Sequence, residues 1–507
     1  MVRILTVITE APPIQSGIAK VAGTMTAGLE ELGHELDVVT SVDVGRRHLG
    51  EIRLTAMGPR FMRLRRELAA YDVVNLHGPA PTFSDAFLAL WRTLPRRYRP
   101  GLVYTHHSDL HLSGVTPLCD VYNWMHARLL RAASHVIVST PSYRERMLVS
   151  GARRVAVVPF GIDEAADVAP RPAGRRGRLT VAFVGQLRPY KGVDVLLRAA
   201  TALPDVAFEI IGTGHREPAL RRMAGELRLQ NVTFHGAVDD ATRNAILGRA
   251  HVIALPSRTR AEAFGIVLLE GMRAGCVPVA SDLPGVRDVA GTSGLLVRPG
   301  HVRSLVQALC HLRDDANEWE RRSVLSREVA STYRWREHVL KYNLILTEAA
   351  LDRHLATART PSLDTAMGFV RLGVRSDRAS LMLVDPTFGD LRVVSVAGVA
   401  LPPEAYHRPS RRGFARQAVR GGEPLLVTPQ DTPRIRRSVR SALLVPFAID
   451  AAGHTGVVSL SRAAGSVFTT GEIAAAADWV PLMAAQTVGP VARTFFEELL
   501  IAGAEAA

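Results

Sequence analysis

Residues 251–281 read HVIALPSRTRAEAFGIVLLEGMRAGCVPVAS. The run opens on a short strand-like stretch, "HVIALPS", crosses a polar loop, and becomes helical from about Phe264. It closes on a second strand, "VPVAS". Strand, helix and strand in this order form a βαβ unit, which makes the two strands parallel and covers the sheet with a helix. Two carboxylates interrupt the pattern. Glu262 stands just before Phe264-Gly265, and Glu270 sits between Leu269 and Gly271. Burying an unpaired carboxylate is costly, so the stretch poses a chemical question together with a fold.

The same rhythm extends in both directions. Over 1–165, "RILTVI", "ELDVVT", "DVVNLH", "GLVYTH", "HVIVST" and "VAVVPF" alternate with helix-period stretches at 19–32, 121–132 and 142–150. "DVAPRPAGRRGR", 167–178, has no periodicity and reads as a linker. The alternation resumes with "LTVAFVG", "AFEIIG" and "VTFHG" ahead of the opening stretch. This predicts two doubly wound α/β domains, 1–165 and 175–335, facing across a cleft, with ligands at the carboxyl ends of the strands. Residues 336–358 read as a closing helix and linker. From 360 to 500 the strands "ASLMLVD", "LRVVSVAG", "EPLLVT", "SALLVPFAID" and "HTGVVSLSR" carry one helical interruption, 411–421, and a closing helix from 471. That is a separate α+β domain with a mainly antiparallel sheet.

The formal net charge of +14 favours anionic partners: phosphate-bearing small molecules, nucleic acid or an acidic lipid surface. No helix-turn-helix, RNP or zinc-finger pattern supports nucleic acid. Three cysteines, Cys119, Cys276 and Cys310, form no CxxC pair and argue against a disulfide framework or a zinc site. They suit a reducing cytoplasm. The N-terminus lacks a secretory h-region. The most apolar stretch, 473–492, contains Asp478 and two prolines, so any membrane contact is expected to be peripheral.

Ten stretches carry a resemblance in register: "PPIQSGIAKV", "ELGHELDVVT", "YTHHSD", "VPFGID", "FVGQLRPYKGVDVLL", "IIGTGHR", "VTFHGAV", "ALPS", "EAFGIVLLEGM" and "GLLVRPG". Residues 1 to about 350 resemble the family 4 glycosyltransferases, with the GT-B fold of two facing Rossmann-like domains. The resemblance implies transfer of a sugar from a nucleotide-sugar donor, with retention of anomeric configuration, and no metal or other cofactor.

It also implies roles for named residues. Phe264, Gly265 and Ile266 lie at a helix start whose free N–H groups suit a diphosphate, and Gly265 lets it approach closely. Glu270 would hold ribose hydroxyls, and Glu262 those of the donor sugar. In this reading the two are hydroxyl acceptors, needing no buried cation. Lys191, in the turn of "GQLRPYKG", would meet phosphate as a point charge. The family usually has Arg directly after the first glycine; here Gln186 takes that place and Arg188 follows two residues later as the second cation. Gly17 would present its backbone near the donor phosphate, with Ser16 in place of the family's other glycine. His107 would contact the donor sugar, while His106 and His111 read as structural. Gly212, Gly214 and Gly236 would keep the nucleotide pocket open. No metal-binding acid pair is expected. Taken singly, each residue has a plainer reading: a turn glycine, a solvated acid, a core histidine.

Two further features are open. "RFMRLRREL", 60–68, places Arg60, Arg63 and Arg66 at helical spacing with Phe61, Leu64 and Leu68 on another face. It reads as a solvated helix face or as a dock for anionic lipid, which would suit a lipid-linked acceptor. Residues 360–500 resemble a GAF domain, which implies a small ligand or a homodimer contact. The alternative to an enzyme is a catalytically inactive nucleotide-sugar sensor built from the same modules, and Gln186 is the feature that leans toward it.

Overall fold

The computed structural model describes residues 1–505 apart from 13, 15–16, 42, 44–45, 50–51, 56–58, 111–115, 150, 153, 163–176, 358–361, 385–389, 399–412, 429–438, 450–453 and 464–466. At 46–49, 52–55, 59–62, 116, 149, 489–491 and 493–505 it describes the backbone alone. Most of the expected 167–178 linker, together with Ser16 and His111, lies outside the described residues.

The first domain holds β1 (Arg3–Ile8), β2 (Glu35–Thr40), β3 (Arg46–Leu49), β4 (Ile52–Thr55), β5 (Val73–Gly78), β6 (Gly101–His106), β7 (His135–Val138) and β8 (Val155–Val157). β3 and β4 make a small antiparallel hairpin. The others form one parallel sheet in the order β2-β1-β5-β6-β7-β8. Burial on both faces explains their apolar runs: every residue of β5 and β6 is buried.

The second domain holds β9 (Thr180–Val184), β10 (Ala207–Ile211), β11 (Val232–Gly236), β12 (Val252–Leu255), β13 (Val277–Ser281) and β14 (Leu295–Val297), parallel in the order β11-β10-β9-β12-β13-β14. The opening stretch is the β12–helix–β13 unit, with the helix at Ile266–Arg273. In each sheet the chain reverses direction across the order, between β1 and β5 and between β9 and β12. Loops diverge there and leave a crevice.

The third sheet is antiparallel, as expected: β15 (Arg378–Val384), β16 (Leu391–Ala397), β17 (Leu425–Val427), β18 (Ser441–Ala448) and β19 (Thr455–Arg462), in the order β16-β15-β19-β18-β17. Its side chains alternate between two apolar clusters. Leu443 and Val458 face the helices Leu363–Gly373 and Thr470–Glu505, whereas Leu444 and Val457 face the helix Phe414–Gly421. The helix Leu363–Gly373 is absent from the sequence reading.

The helix Trp335–Thr357 lies where a closing helix and linker were expected, and it runs unbroken to Thr357. It leaves the second domain beside an Ile162–Arg334 bridge and lies along the first sheet. Packing is close enough that a Cβ on Gly28 would meet Val339 Cγ2 at 2.7 Å. The helix's other side packs on Leu363–Gly373, so the first and third domains share one apolar core. The third sheet is separate; its core is not.

Buried Asn343 ties the three parts. Its Oδ1 lies 2.6 Å from His34 Nε2, and its Nδ2 donates to the carbonyls of Leu372 (3.2 Å) and Gly373 (2.8 Å). Asn343→Leu strands these partners in an apolar core, at a cost of roughly 2–4 kcal/mol. The denaturant midpoint should fall accordingly; an unchanged midpoint would show that the bridge holds nothing.

Candidate active site

Loops after β1, β6, β8, β9 and β12 enclose a cavity of about 460 Å³ between the first two domains. Gly17, His107, Arg188, Lys191, Glu262, Phe264, Gly265 and Ile266 all line it. Glu10, Phe160, Gln186 and Tyr190 do too.

Lys191 ends the short turn Pro189–Lys191, and Gly192 closes it at φ +71°. A Cβ on Gly192 would sit 2.0 Å from the Pro256 carbonyl oxygen, so only glycine lets this turn lie against the loop after β12. Arg258 N–H donates to Tyr190 O at 2.7 Å and latches the two loops. The Lys191 ammonium is thereby set against the Glu262 carboxylate, with side-chain exposures of 12% and 11%. Burial pulls the Lys191 pKa down, but the Glu262 carboxylate and Tyr190 outweigh it, and the net shift is upward. Lys191 is therefore a fixed cation. Arg188 is aimed by Gln186, whose Oε1 accepts from Arg188 Nε at 2.8 Å.

The helix Ile266–Arg273 begins at the cavity wall, with Gly265 at φ +78° as its cap. Its first N–H groups have no partner within the helix, which gives this wall an electropositive rim beside Lys191. Glu270, 9% exposed, sits one turn behind. Contrary to the reading of the two glutamates as needing no cation, both have one. Glu262 meets Lys191. Glu270 lies 3.9 Å from Lys20 Nζ and 3.7 Å from Arg243 Nε. Lys20 comes from the first domain's helix Gly17–Glu31, so the Glu270 contact spans the cleft.

Glu270, Gly212, Gly214 and Gly236 do not border this cavity. A Cβ on Gly212 would meet Gly185 O at 2.1 Å, and one on Gly214 would meet Leu187 O at 2.6 Å. These two glycines let the loop after β10 pack backbone-to-backbone on the loop that carries Gln186 and Arg188. Neither borders the cavity, where they were expected to keep the nucleotide pocket open. Gly236 accepts from Gly212 N–H at 2.8 Å.

His107 is held from below. Its N–H donates to Gly78 O at 2.8 Å, its Nε2 lies 2.8 Å from His77 Nδ1, and its ring stacks on His77 and Phe160. Burial, with the neighbouring His106 and His338 adding to it, lowers its pKa from 6.5 to about 4, so the imidazole is neutral. His106 instead lies 3.5 Å from Asp109, buried and away from the cavity lining. The sequence reading missed Glu10, Lys20, Arg243 and His77. Lys20 follows Gly17 by three residues in "SGIAK" and His77 ends "DVVNLH", but neither has a local mark of function.

Cross-domain contacts flank the cavity. Asp288 accepts from Ser142 N–H (3.0 Å) and Ser142 Oγ (2.8 Å), and Tyr143 OH donates to Arg260 O at 3.1 Å.

Residues 15–166 match the family described as Glycosyltransferase Family 4, and residues 178–315 the family described as Glycosyl transferases group 1. The first segment covers β2 to β8 and the second covers β9 to β14. The chain is 32% identical over 283 residues to the D-rhamnosyltransferase WbpZ of Pseudomonas aeruginosa, spanning 53% of this chain and 71% of that protein. It is 34% identical over 287 residues to the phosphatidyl-myo-inositol mannosyltransferase of Mycobacterium leprae, spanning 54% and 73%. The fold is shared with sucrose-phosphate synthase from Thermosynechococcus elongatus (TM-score 0.55, 20% identity, 69% of this chain and 99% of that one). It is shared also with Anabaena Alr3699/HepE, solved with UDP and glucose (TM-score 0.53, 19% identity, 69% and 100%).

The histidines around the cavity make stability depend on pH. His107 and His338, both lowered mainly by burial, have folded pKa values of about 4, against 6.5 ordinarily. Between those values the unfolded chain binds more protons, so stability falls as pH drops from about 6.5 toward 4 and does not change on their account above 6.5. Melting temperatures at pH 7.5, 6 and 5 should decline in that order, and a flat profile would show these rings to be solvated.

Proposed function

This chain belongs to the family 4 glycosyltransferases, and from that premise we propose that it moves a sugar from a nucleoside-diphosphate donor to a hydroxyl acceptor with retention of configuration. The observation that carries this reading is the Lys191 ammonium, fixed by Glu262 beside the start of the helix Ile266–Arg273. A departing diphosphate needs preorganised positive charge, and a buried ammonium with a helix N-terminus supplies it without reorganisation. Arg188 adds a second cation at the wall. In this proposal no metal or other cofactor takes part.

Glu262 accepts hydroxyls of the donor sugar while keeping Lys191 in place. Glu270 accepts the ribose hydroxyls, exchanging its Lys20 and Arg243 contacts for them. Neutral His107 accepts or donates one hydrogen bond to the sugar near the anomeric carbon, with its other ring nitrogen turned to His77. The acceptor hydroxyl attacks on the face from which the diphosphate departs, and its proton passes to the departing phosphate oxygen. Gly212, Gly214 and Gly236 shape the nucleotide side from behind the cavity wall. The third sheet, with helices on both faces, is in this proposal a GAF-type module that binds a small ligand or a second copy. Relatives named for rhamnosyl and mannosyl transfer make those sugars the first to try, and a lipid-borne hydroxyl is among the acceptors.

A screen of UDP-, GDP- and ADP-sugars, read by thermal shift and nucleoside diphosphate release, tests the reading; the absence of any stabilising donor would sink it. With the active donor, Lys191→Ala should lower kcat by about 10²–10³-fold. Glu270→Ala should raise the donor Kd by about 10–100-fold. His107→Ala should lower turnover with donor binding nearly unchanged. Full activity in all three variants would show that the site is misassigned.

A further inference from the structure

The helix Thr116–Leu129 is apolar on both sides. Its inner face is conventional: Cys119, His126 and Ala127 are buried. Its outer face carries Leu118, Val121, Trp124 and Met125, exposed by 69, 62, 57 and 50%. Their i, i+3, i+6, i+7 spacing places them on one stripe. Arg128 continues the stripe, with its guanidinium 3.7 Å from the Trp124 ring centroid. Four large apolar side chains on one helix surface form a patch that water does not favour.

We infer that this stripe docks the protein on an anionic lipid bilayer. Its composition suits the bilayer interface: aliphatic side chains to enter the acyl boundary, a tryptophan at headgroup depth and an arginine for phosphate. The surroundings match in charge. On the elements packed against the same side of the first sheet, Arg63, Arg66, Arg92, Arg96, Arg97, Arg131 and Arg144 are exposed, against the exposed acids Glu67, Asp120 and Glu145. Basic residues near a membrane surface each add to the attraction for anionic lipid. A second copy fits less well. One helix width is small beside the roughly 800 Å² per partner of a stable interface, and two chains of formal charge +14 repel each other.

The helix also borders the cleft. Asn123 clamps Leu110 through N–H to Oδ1 and Nδ2 to O bonds, both 2.9 Å, fixing the helix to the segment that leaves His107. Asp120 lies 3.2 Å from Arg260, on the loop that carries Glu262. A bilayer at this face would bring a membrane-borne hydroxyl to the mouth of the cavity. That use rests on the transferase reading above; the docking itself does not. The 60–68 helix, the other lipid-facing candidate, buries Leu64 and Leu68 in the core and has no such described stripe.

The test is flotation of the full chain with vesicles of phosphatidylcholine, alone or mixed equally with phosphatidylglycerol. The wild-type chain should float with the mixed vesicles and hardly with the neutral ones. The triple variant L118S/V121S/W124S should lose about tenfold or more of the bound fraction, with its melting temperature unchanged. Trp124→Phe should remove the vesicle-induced blue shift of tryptophan emission while flotation persists. Failure of the wild-type chain to float, or equal flotation of the triple variant, overturns the inference. So does a dimer in sedimentation that the triple variant dissolves, since the stripe would then belong to a second copy. None of these readouts requires sugar transfer, so a failed donor screen leaves them standing.

Discussion

The contact between Lys191 and Glu262 joins the two loops that diverge where the second sheet reverses its strand order. β9 and β12 are neighbours in space, so the loops leaving their carboxyl ends must part or be tied. The ion pair, the Arg258–Tyr190 hydrogen bond and the close seat of Gly192 on Pro256 tie them. In that position a lysine is costly to bury alone, and the glutamate offsets the cost while remaining at the cavity wall. The same arrangement keeps the ammonium charged and points it at one place. Electrostatic stabilisation of a leaving group depends on that fixed placement more than on total charge. The +14 of the whole chain would draw anions to the surface; in the proposed function the paired lysine would give one of them a seat.

A second constraint acts at larger scale. The helix Trp335–Thr357 belongs by sequence to the end of the second domain but by packing to the first and third. Because it lies along the first sheet, the first domain carries the third sheet as part of its own core. Relative motion of the two parallel-sheet domains would therefore be motion of the second against a joined first and third. Their direct cross-cleft contacts mix polar and apolar: Ser142 meets Asp288, Tyr143 and Asp120 meet Arg260, Lys20 meets Glu270, and Phe160 packs edge-on against Phe264. Polar contacts of this kind exchange for water at small net cost, unlike an apolar core.

Much of this was legible along the chain. The βαβ rhythm marks the strands of both parallel sheets because strands buried on both faces must be continuously apolar. The antiparallel third sheet was visible for a related reason, with Leu443 and Leu444, or Val457 and Val458, turned to opposite faces. The hairpin β3–β4 was not, since RRHL and IRLT are too short and too charged to stand out. Nor was the helix Leu363–Gly373, whose apolar face shows its purpose only once the helix Trp335–Thr357 lies beneath it. At the site, Gly17, Lys191, Glu262 and Gly265 were singled out by the family resemblance of the stretches that hold them, since each taken alone has a plainer reading. The partners of Glu270 could not be, because Lys20 and Arg243 stand 250 and 27 residues away in sequence.

The sequence by itself determined the three large sheets and the turns between them that line the cavity, since periodicity and turn residues act over a few positions. Tertiary structure alone decided that both glutamates of AEAFGIVLLEGM face cations and that Gly212 and Gly214 serve loop-on-loop packing. It decided equally that Leu118, Val121 and Trp124 are left outside the core. Those outcomes depend on which distant segments arrive beside each residue. A helix read alone shows two apolar faces, and only the assembled fold selects the one that is buried.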